Sequence, residues 1–268
     1  MHLTYACRTD VGMVRVGNED SMYAEANQFR GVFMVADGMG GHAAGEVASA
    51  MAVQIVTRDI APLSDITNAT APETLREALQ DANRAIFDRT IAEVDKQGMG
   101  TTASVLILSR NRYLIGQVGD SRIYRVRNGV LEQLTKDHSY VQEQVDAGYI
   151  TPEQARYHPY SNVITRCVGA SPDVEPDVYS GELAVGDLFL VASDGLTGML
   201  EDAHLQRLML TRNSPGRLVD ALIGEANRRG GLDNITAVVV QVTALDDPRH
   251  DSPTAEIPAY RPPDKGNA

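Results

Sequence analysis

Five aspartates in this sequence stand where a strand would begin or end. Phe33-Met34-Val35-Ala36 runs into Asp37-Gly38, the run Leu188 to Ala192 leads into Ser193-Asp194-Gly195, and Asp233 stands just ahead of the apolar run from Ile235. Asp20 closes Arg15-Val16-Gly17-Asn18-Glu19-Asp20, and Asp120 lies in Gly119-Asp120-Ser121-Arg122. Carboxylates gathered at one end of a sheet repel each other by about 4 kcal/mol per pair at 4 Å and an effective dielectric of 20. A bound multivalent cation removes that conflict. With 6 His and 2 Cys in the whole chain, ligation would be by oxygen, which selects Mg²⁺ or Mn²⁺ over zinc or copper.

Other residues near these acids suit an anion. Arg15 precedes the acid pair Glu19-Asp20, and its planar fork can donate two hydrogen bonds to a phosphate. Taken alone, Arg15 is as well explained by a surface salt bridge to Glu19 or Asp20. The glycines of Asp37-Gly38-Met39-Gly40-Gly41-His42 let the backbone approach a ligand, and Gly38 could offer its carbonyl to a metal. The segment carries neither a dinucleotide fingerprint nor a P-loop. A single His such as His42 is explained by structural hydrogen bonding. Read alone, Gly119-Asp120 is hairpin-turn chemistry.

Composition narrows the partners. A formal charge of −12 with no basic cluster disfavours nucleic acid. Cys7 and Cys167 form no Cys-x-x-Cys pair, so two reduced thiols are expected. The N-terminus has no signal-like apolar region and no stretch approaches the roughly 20 apolar residues of a membrane span, so a cytoplasmic protein is expected.

The elements that must position the acids are short. Runs at 31–36, 103–108, 113–118, 123–126, 187–192 and 235–242 read as buried strands, and helical spacing recurs at Ala44, Val47, Ala48, Met51 and Ile55 and again at Leu75, Leu79, Ala82 and Ile86. Thr70-Ala71-Pro72-Glu73 predicts a capping box, and Ser214-Pro215 a similar helix start. The links at 109–112 and 119–120 are short enough for hairpins, so much of the sheet structure is expected to be antiparallel. Residues 137–176 are polar and irregular and predict a flap over the site, with a short helix from Thr151-Pro152. The expected organisation is one domain over 1–245 and a Pro-rich disordered tail over 246–268.

Taken together, Arg15-x-x-Asn18-Glu19-Asp20, Asp37-Gly38-Met39-Gly40-Gly41-His42, Gly100-Thr101-Thr102, Gly119-Asp120-Ser121-Arg122, Ser193-Asp194-Gly195 and Asp233-Asn234-x-Thr236 closely resemble, in order and approximate spacing, the bacterial metal-dependent serine/threonine protein phosphatases of the PPM family. The resemblance spans about residues 3 to 243. It implies an α+β fold, a four-layer α-β-β-α sandwich of two mainly antiparallel sheets flanked by helices. It also implies two core Mn²⁺ or Mg²⁺ ions and a third, weaker one. Position by position, Asp37 resembles the acid bridging two metals, Gly38 the carbonyl ligand, and Asp194 and Asp233 the ligands of the other ion. Glu19 and Asp20 resemble the acids holding metal-bound waters, Asp120 the acid of the third site, and Arg15 the phosphate-binding residue. The implied reaction is hydrolysis of phosphoserine and phosphothreonine by in-line attack of a metal-activated water, without a covalent intermediate. The implied partners are phosphoproteins written by a bacterial Ser/Thr kinase, and a monomer is expected. Met39 departs from relatives that carry a His there, proposed as the general acid. The competing reading is a catalytically silent phosphoprotein-binding or regulatory module on the same fold.

Overall fold

A computed structural model describes residues 1–40, 44–211 and 214–245. The expectations for His42 and for the tail at 246–268 lie outside the described residues. In chain order the elements are β1 (His2–Asp10), β2 (Asp20–Ala26), β3 (Arg30–Met39), α1 (Ala44–Asp59), α2 (Ala71–Ala92), β4 (Gly100–Thr101), β5 (Ala103–Ser109) and β6 (Arg112–Val118). They continue with β7 (Arg122–Arg127), β8 (Val130–Gln133), α3 (Tyr140–Asp146), α4 (Pro152–Arg156), β9 (Asp177–Glu182), β10 (Leu188–Ala192), α5 (Asp194–Thr197), α6 (Asp202–Thr211), α7 (Pro215–Arg228) and β11 (Ile235–Ala244).

The strands build two antiparallel sheets. One has the order β1-β11-β10-β7-β8, and the other β2-β3-β5-β6-β9 with β4 attached to β3. Alternation along each central strand feeds two cores at once. On β3, Phe33 and Val35 point between the sheets, where they meet Phe189, Val191, Val238 and Val240, whereas Val32, Met34 and Ala36 point outward to α1 and α2. On the opposite face of the molecule, Leu190, Ala192, Ala237 and Val239 cover the apolar side of α6 and α7. The result is the expected α-β-β-α layering, because each sheet is apolar on both faces.

Local differences have simple causes. Thr70 takes a helical conformation and does not cap α2 through its side chain; its carbonyl instead accepts from Thr74. Ser214 and Thr151 do cap, the latter within a full capping box with Gln154. The Ser109–Arg112 link is a hairpin between β5 and β6. Gly119-Asp120 is not, because β6 and β7 belong to different sheets, and the chain crosses between them there with Gly119 at φ +100°. Helix α1 buries Ala48, Ala52 and Val56, while Val47, Met51 and Ile55 are half-buried at its flank.

Candidate metal centre

Antiparallel pairing explains why acids far apart in sequence meet. The end of one strand lies beside the start of its neighbour, so Asp20 at the start of β2 faces Asp37 near the end of β3. Likewise Ala192 at the end of β10 pairs with both Ala237 of β11 and Arg122 of β7, which brings Asp194, Asp233 and Asp120 to that same end. The two sheets are joined there by hydroxyls. Ser193 and Thr236 donate to Asp20 Oδ2 at 2.9 and 2.6 Å, and Ser193 Oγ accepts the Thr236 N–H at 2.9 Å.

Burial and mutual repulsion raise the acids' pKa values together. Asp20 is pushed up to about 6, mainly by burial, with its two hydroxyl donors opposing the rise and Asp194 and Asp233 adding to it. Asp37 rises well above the usual carboxylate range through burial and then the charges of Asp194 and Asp20. Asp120 also rises well above it, through burial and then Asp194. Asp194 is raised by burial, and it lies within hydrogen-bonding reach of Asp37. Glu19 is raised by burial, with Arg15 opposing.

Three buried oxygens in this group, Asp20 Oδ1, Asp120 Oδ1 and Asp194 Oδ1, have no hydrogen-bond partner. Unmet buried acceptors on carboxylates that already repel each other fit a cation-binding site. The donor set is all oxygen and suits a hard divalent ion. Gly38 fits the same reading. A Cβ there would stand 2.2 Å from the Gly45 carbonyl oxygen and 2.5 Å from that of Glu19, so glycine alone lets these three backbones touch. Among the described residues no three His, Cys, Asp or Glu side chains already enclose one point as a cage. Asp37 and Asp194 lie within hydrogen-bonding reach of each other, and Arg15 Nη2 holds Asp233 Oδ2 at 2.7 Å.

All eight residues singled out in the sequence therefore meet at one end of the sandwich, with Glu19, Arg15 and Asp233 toward its rim. The salt bridge offered for Arg15 exists, but its partner is Asp233 and not Glu19 or Asp20. Sequence reasoning assigned no role to the residues that hold this arrangement. Asn234 accepts the Glu19 N–H at 2.8 Å and donates to the carbonyls of Val11 and Gly17, both at 2.9 Å. Thr102 Oγ1 accepts the Asp37 N–H at 2.9 Å and pairs with Ser121 Oγ at 2.8 Å. Asn234 and Ser121 each adjoin an acid of their own motif, whereas Thr102 belongs to the acid-free Gly100-Thr101-Thr102 and meets Asp37 only through the fold.

A groove of about 620 Å³ opens beside Asp120 and Asp194, between the segment carrying α3 and α4 and the start of α6. Arg122 donates to both oxygens of Asp137 at 2.7 to 3.0 Å and to Tyr124 Oη, tying the start of that segment to β7. Arg156 donates to the Gly198 carbonyl at 3.0 Å across the groove.

Known proteins share both sequence and fold. The family model described as "Protein phosphatase 2C" matches residues 16–220. The chain is 38% identical over 243 residues to the serine/threonine phosphatase stp of Listeria monocytogenes, covering 90% of this chain and 96% of that protein. It is 40% identical over 249 residues to the serine/threonine protein phosphatase PstP of Mycobacterium tuberculosis, covering 91% of this chain and 46% of that longer protein. The solved catalytic domain of PstP, in complex with two manganese ions, superposes with a TM-score of 0.79 at 40% identity, covering 90% of this chain and 99% of that one. A bacterial serine phosphatase superposes at 0.85 with 33% identity, covering 92% and 100%. With the acid-lined end of the sandwich and this similarity in agreement, the chain belongs to the protein phosphatase 2C family.

Proposed function

We propose that this chain is a Mn²⁺- or Mg²⁺-dependent serine/threonine protein phosphatase acting on phosphoserine and phosphothreonine in bacterial phosphoproteins. The observation carrying this reading is the cluster of Asp20, Asp120 and Asp194, each with a buried carboxylate oxygen lacking a partner, beside the Arg15 guanidinium. In this reading Asp37, the Gly38 carbonyl, Asp194 and Asp233 would hold two core ions, and Asp120 with Asp194 would hold a third, weaker one. Glu19 and Asp20 would orient water beside the ions by hydrogen bonding. Such ions supply a water of lowered pKa and neutralise the phosphoryl oxygens.

The chain's own residues do the positioning. Arg15 is about half exposed, so it can leave Asp233 and present its fork to the phosphate. Ser193 and Thr236 hold one oxygen of Asp20, which leaves Oδ1 free to orient a water. Met39 carries no ionisable proton, so protonation of the departing alcohol falls to water or another group. The segment 137–176 is read as the flap that selects substrates. A cytoplasmic monomer opposing a Ser/Thr kinase completes the reading; among the described residues no helix is long and apolar enough to cross a membrane.

The deciding experiment measures hydrolysis of a chromogenic phosphoester and a phosphothreonine peptide with Mn²⁺, with Mg²⁺ and with chelator. Activity that needs the metal and is lost in Asp37→Asn and Asp233→Asn is expected. Full activity in either variant overturns the ligand assignment, and phosphopeptide binding without turnover selects the silent module instead.

A further inference from the structure

The loop around Arg15 is unusually apolar for a surface so close to a charged site. Met13 is 68% exposed, Val14 61% and Leu232 57%, and Val16 is fully exposed. Phe29, Val130 and Val185 stand scattered, which is ordinary, and the other exposed group, Tyr157, Tyr160 and Val163, belongs to the segment 137–176. Here Met13, Val14 and Val16 stand on one segment and Leu232 on another that runs in contact with it. Met13 N–H donates to the Gly231 carbonyl at 2.7 Å, and a Cβ on Gly12 would stand 2.2 Å from the Asp233 carbonyl oxygen.

This loop is held in shape. Asn234 anchors both of its ends through the carbonyls of Val11 and Gly17, and the Met13 N–H bond to the Gly231 carbonyl ties it to the neighbouring segment. Gly12 and Gly231 take positive φ values of +82° and +48°, which allows the two segments to run in contact. Exposing several large apolar groups on a fixed frame costs solvation free energy, and such patches mark binding surfaces.

We propose that Met13, Val14, Val16 and Leu232 form a docking rim for apolar residues next to the phosphorylated serine or threonine of a substrate. The inference rests on the reading of Arg15 as the phosphate clamp. Charge complementarity names the occupant: the one cation inside the patch suits a phosphate, and an extended peptide advances about 3.3 Å per residue. Residues one or two positions from a phosphate held at Arg15 therefore land on the side chains flanking it. The rim selects substrates by their local sequence, independently of the groove beside α4.

The test compares kcat/KM, with Mn²⁺, for two phosphothreonine peptides that differ only in carrying Leu and Val or Ser and Gly within two positions of the phosphoresidue. The wild-type chain is expected to favour the apolar peptide on the order of tenfold, through KM, as partial burial of one aliphatic side chain allows. Val14→Ser/Val16→Ser, and separately Leu232→Ser, should flatten the preference while leaving hydrolysis of p-nitrophenyl phosphate unchanged. Equal efficiency on the two peptides in the wild type, or a preference surviving in both variants, overturns the rim. A concentration-dependent dimer in sedimentation that Val14→Ser/Val16→Ser dissolves also overturns it, by naming a second copy as the occupant. If p-nitrophenyl phosphate is hydrolysed but the peptides are not distinguished, only the rim falls. If no phosphoester is hydrolysed, the phosphatase reading falls with it.

Discussion

Asp20 and Asp37 stand directly opposite each other across the β2–β3 ladder. Like charges in that register destabilise a sheet, and here Asp20 is buried, Asp37 half-buried, and loss of solvent raises the pKa of both. The fold therefore carries a local cost that only a proton or a cation relieves.

That cost has a sign with pH. Asp20 takes up its proton near pH 6 in the folded chain but near 3.8 when unfolded, so between these values the folded state binds more protons. Metal-free protein should thus gain stability as pH falls from 7 toward 4, and lose it as pH rises through about 6; Asp37, Asp120 and Asp194 act in the same direction. With Mn²⁺ present the slope should reverse, because protons then compete with the ion for the same oxygens. Thermal unfolding in chelator and in Mn²⁺ at pH 5 and 7.5 measures both slopes. A metal-free chain most stable at pH 7.5 would contradict the assignment of these acids to one cluster.

How far the sequence could reveal this depended on burial. The strands with continuous apolar runs, β3, β5, β6, β7, β10 and β11, were legible; all are interior to their sheets. The longer strands that left no such run, β1, β2, β8 and β9, are the four sheet edges, where half-exposed positions carry polar residues. The acids are legible because each adjoins an interior strand or a glycine, except Glu19 and Asp20, which stand at the start of an edge strand and are legible only through their motif. The Arg15 partner was not legible, because it is 218 residues away and is set by the β1–β11 pairing. Neither was the sheet change at Gly119, since a short link reads alike whether it closes a hairpin or crosses a sandwich.

Arg15→Ala should separate phosphate handling from metal binding. The guanidinium now engages Asp233, and its removal frees that carboxylate without removing any proposed ligand. KM for a phosphoester should rise on the order of tenfold, as loss of one charge-assisted bidentate contact implies. The rise in Tm on adding Mn²⁺ should persist. Calorimetric titration with Mn²⁺ reads the second quantity directly, and loss of binding there would make Arg15 part of the metal frame.

Thr236→Val tests the hydroxyls that hold Asp20. Valine keeps the shape but removes the 2.6 Å donor to Oδ2, so a buried carboxylate loses one of two groups that favour its charge. A hydrogen bond to a charged group contributes about 1.5 to 3 kcal/mol. The acid limb of the pH–rate profile should move upward, since Asp20 would hold its proton to higher pH. Thr236→Ser should restore the profile. A purely structural role would lower Tm in the valine variant and leave that limb in place.

Gly38→Ala probes the closest backbone approach in the site. The added Cβ would stand 2.2 Å from the Gly45 carbonyl oxygen and 2.5 Å from that of Glu19, neither of which is the end of a flexible side chain. The backbone must shift, and overpacking of this kind costs about 1 to 3 kcal/mol. The shift would carry the Gly38 carbonyl away from its present position, because Gly38 N–H also donates to the Glu19 carbonyl at 3.2 Å. Reduced metal-free stability together with weaker Mn²⁺ binding in titration is expected. Gly216→Ala, where a Cβ meets nothing within 4 Å, is the matched control and should change neither. Equal Mn²⁺ affinity in Gly38→Ala and the wild type would remove that carbonyl from the set of ligands.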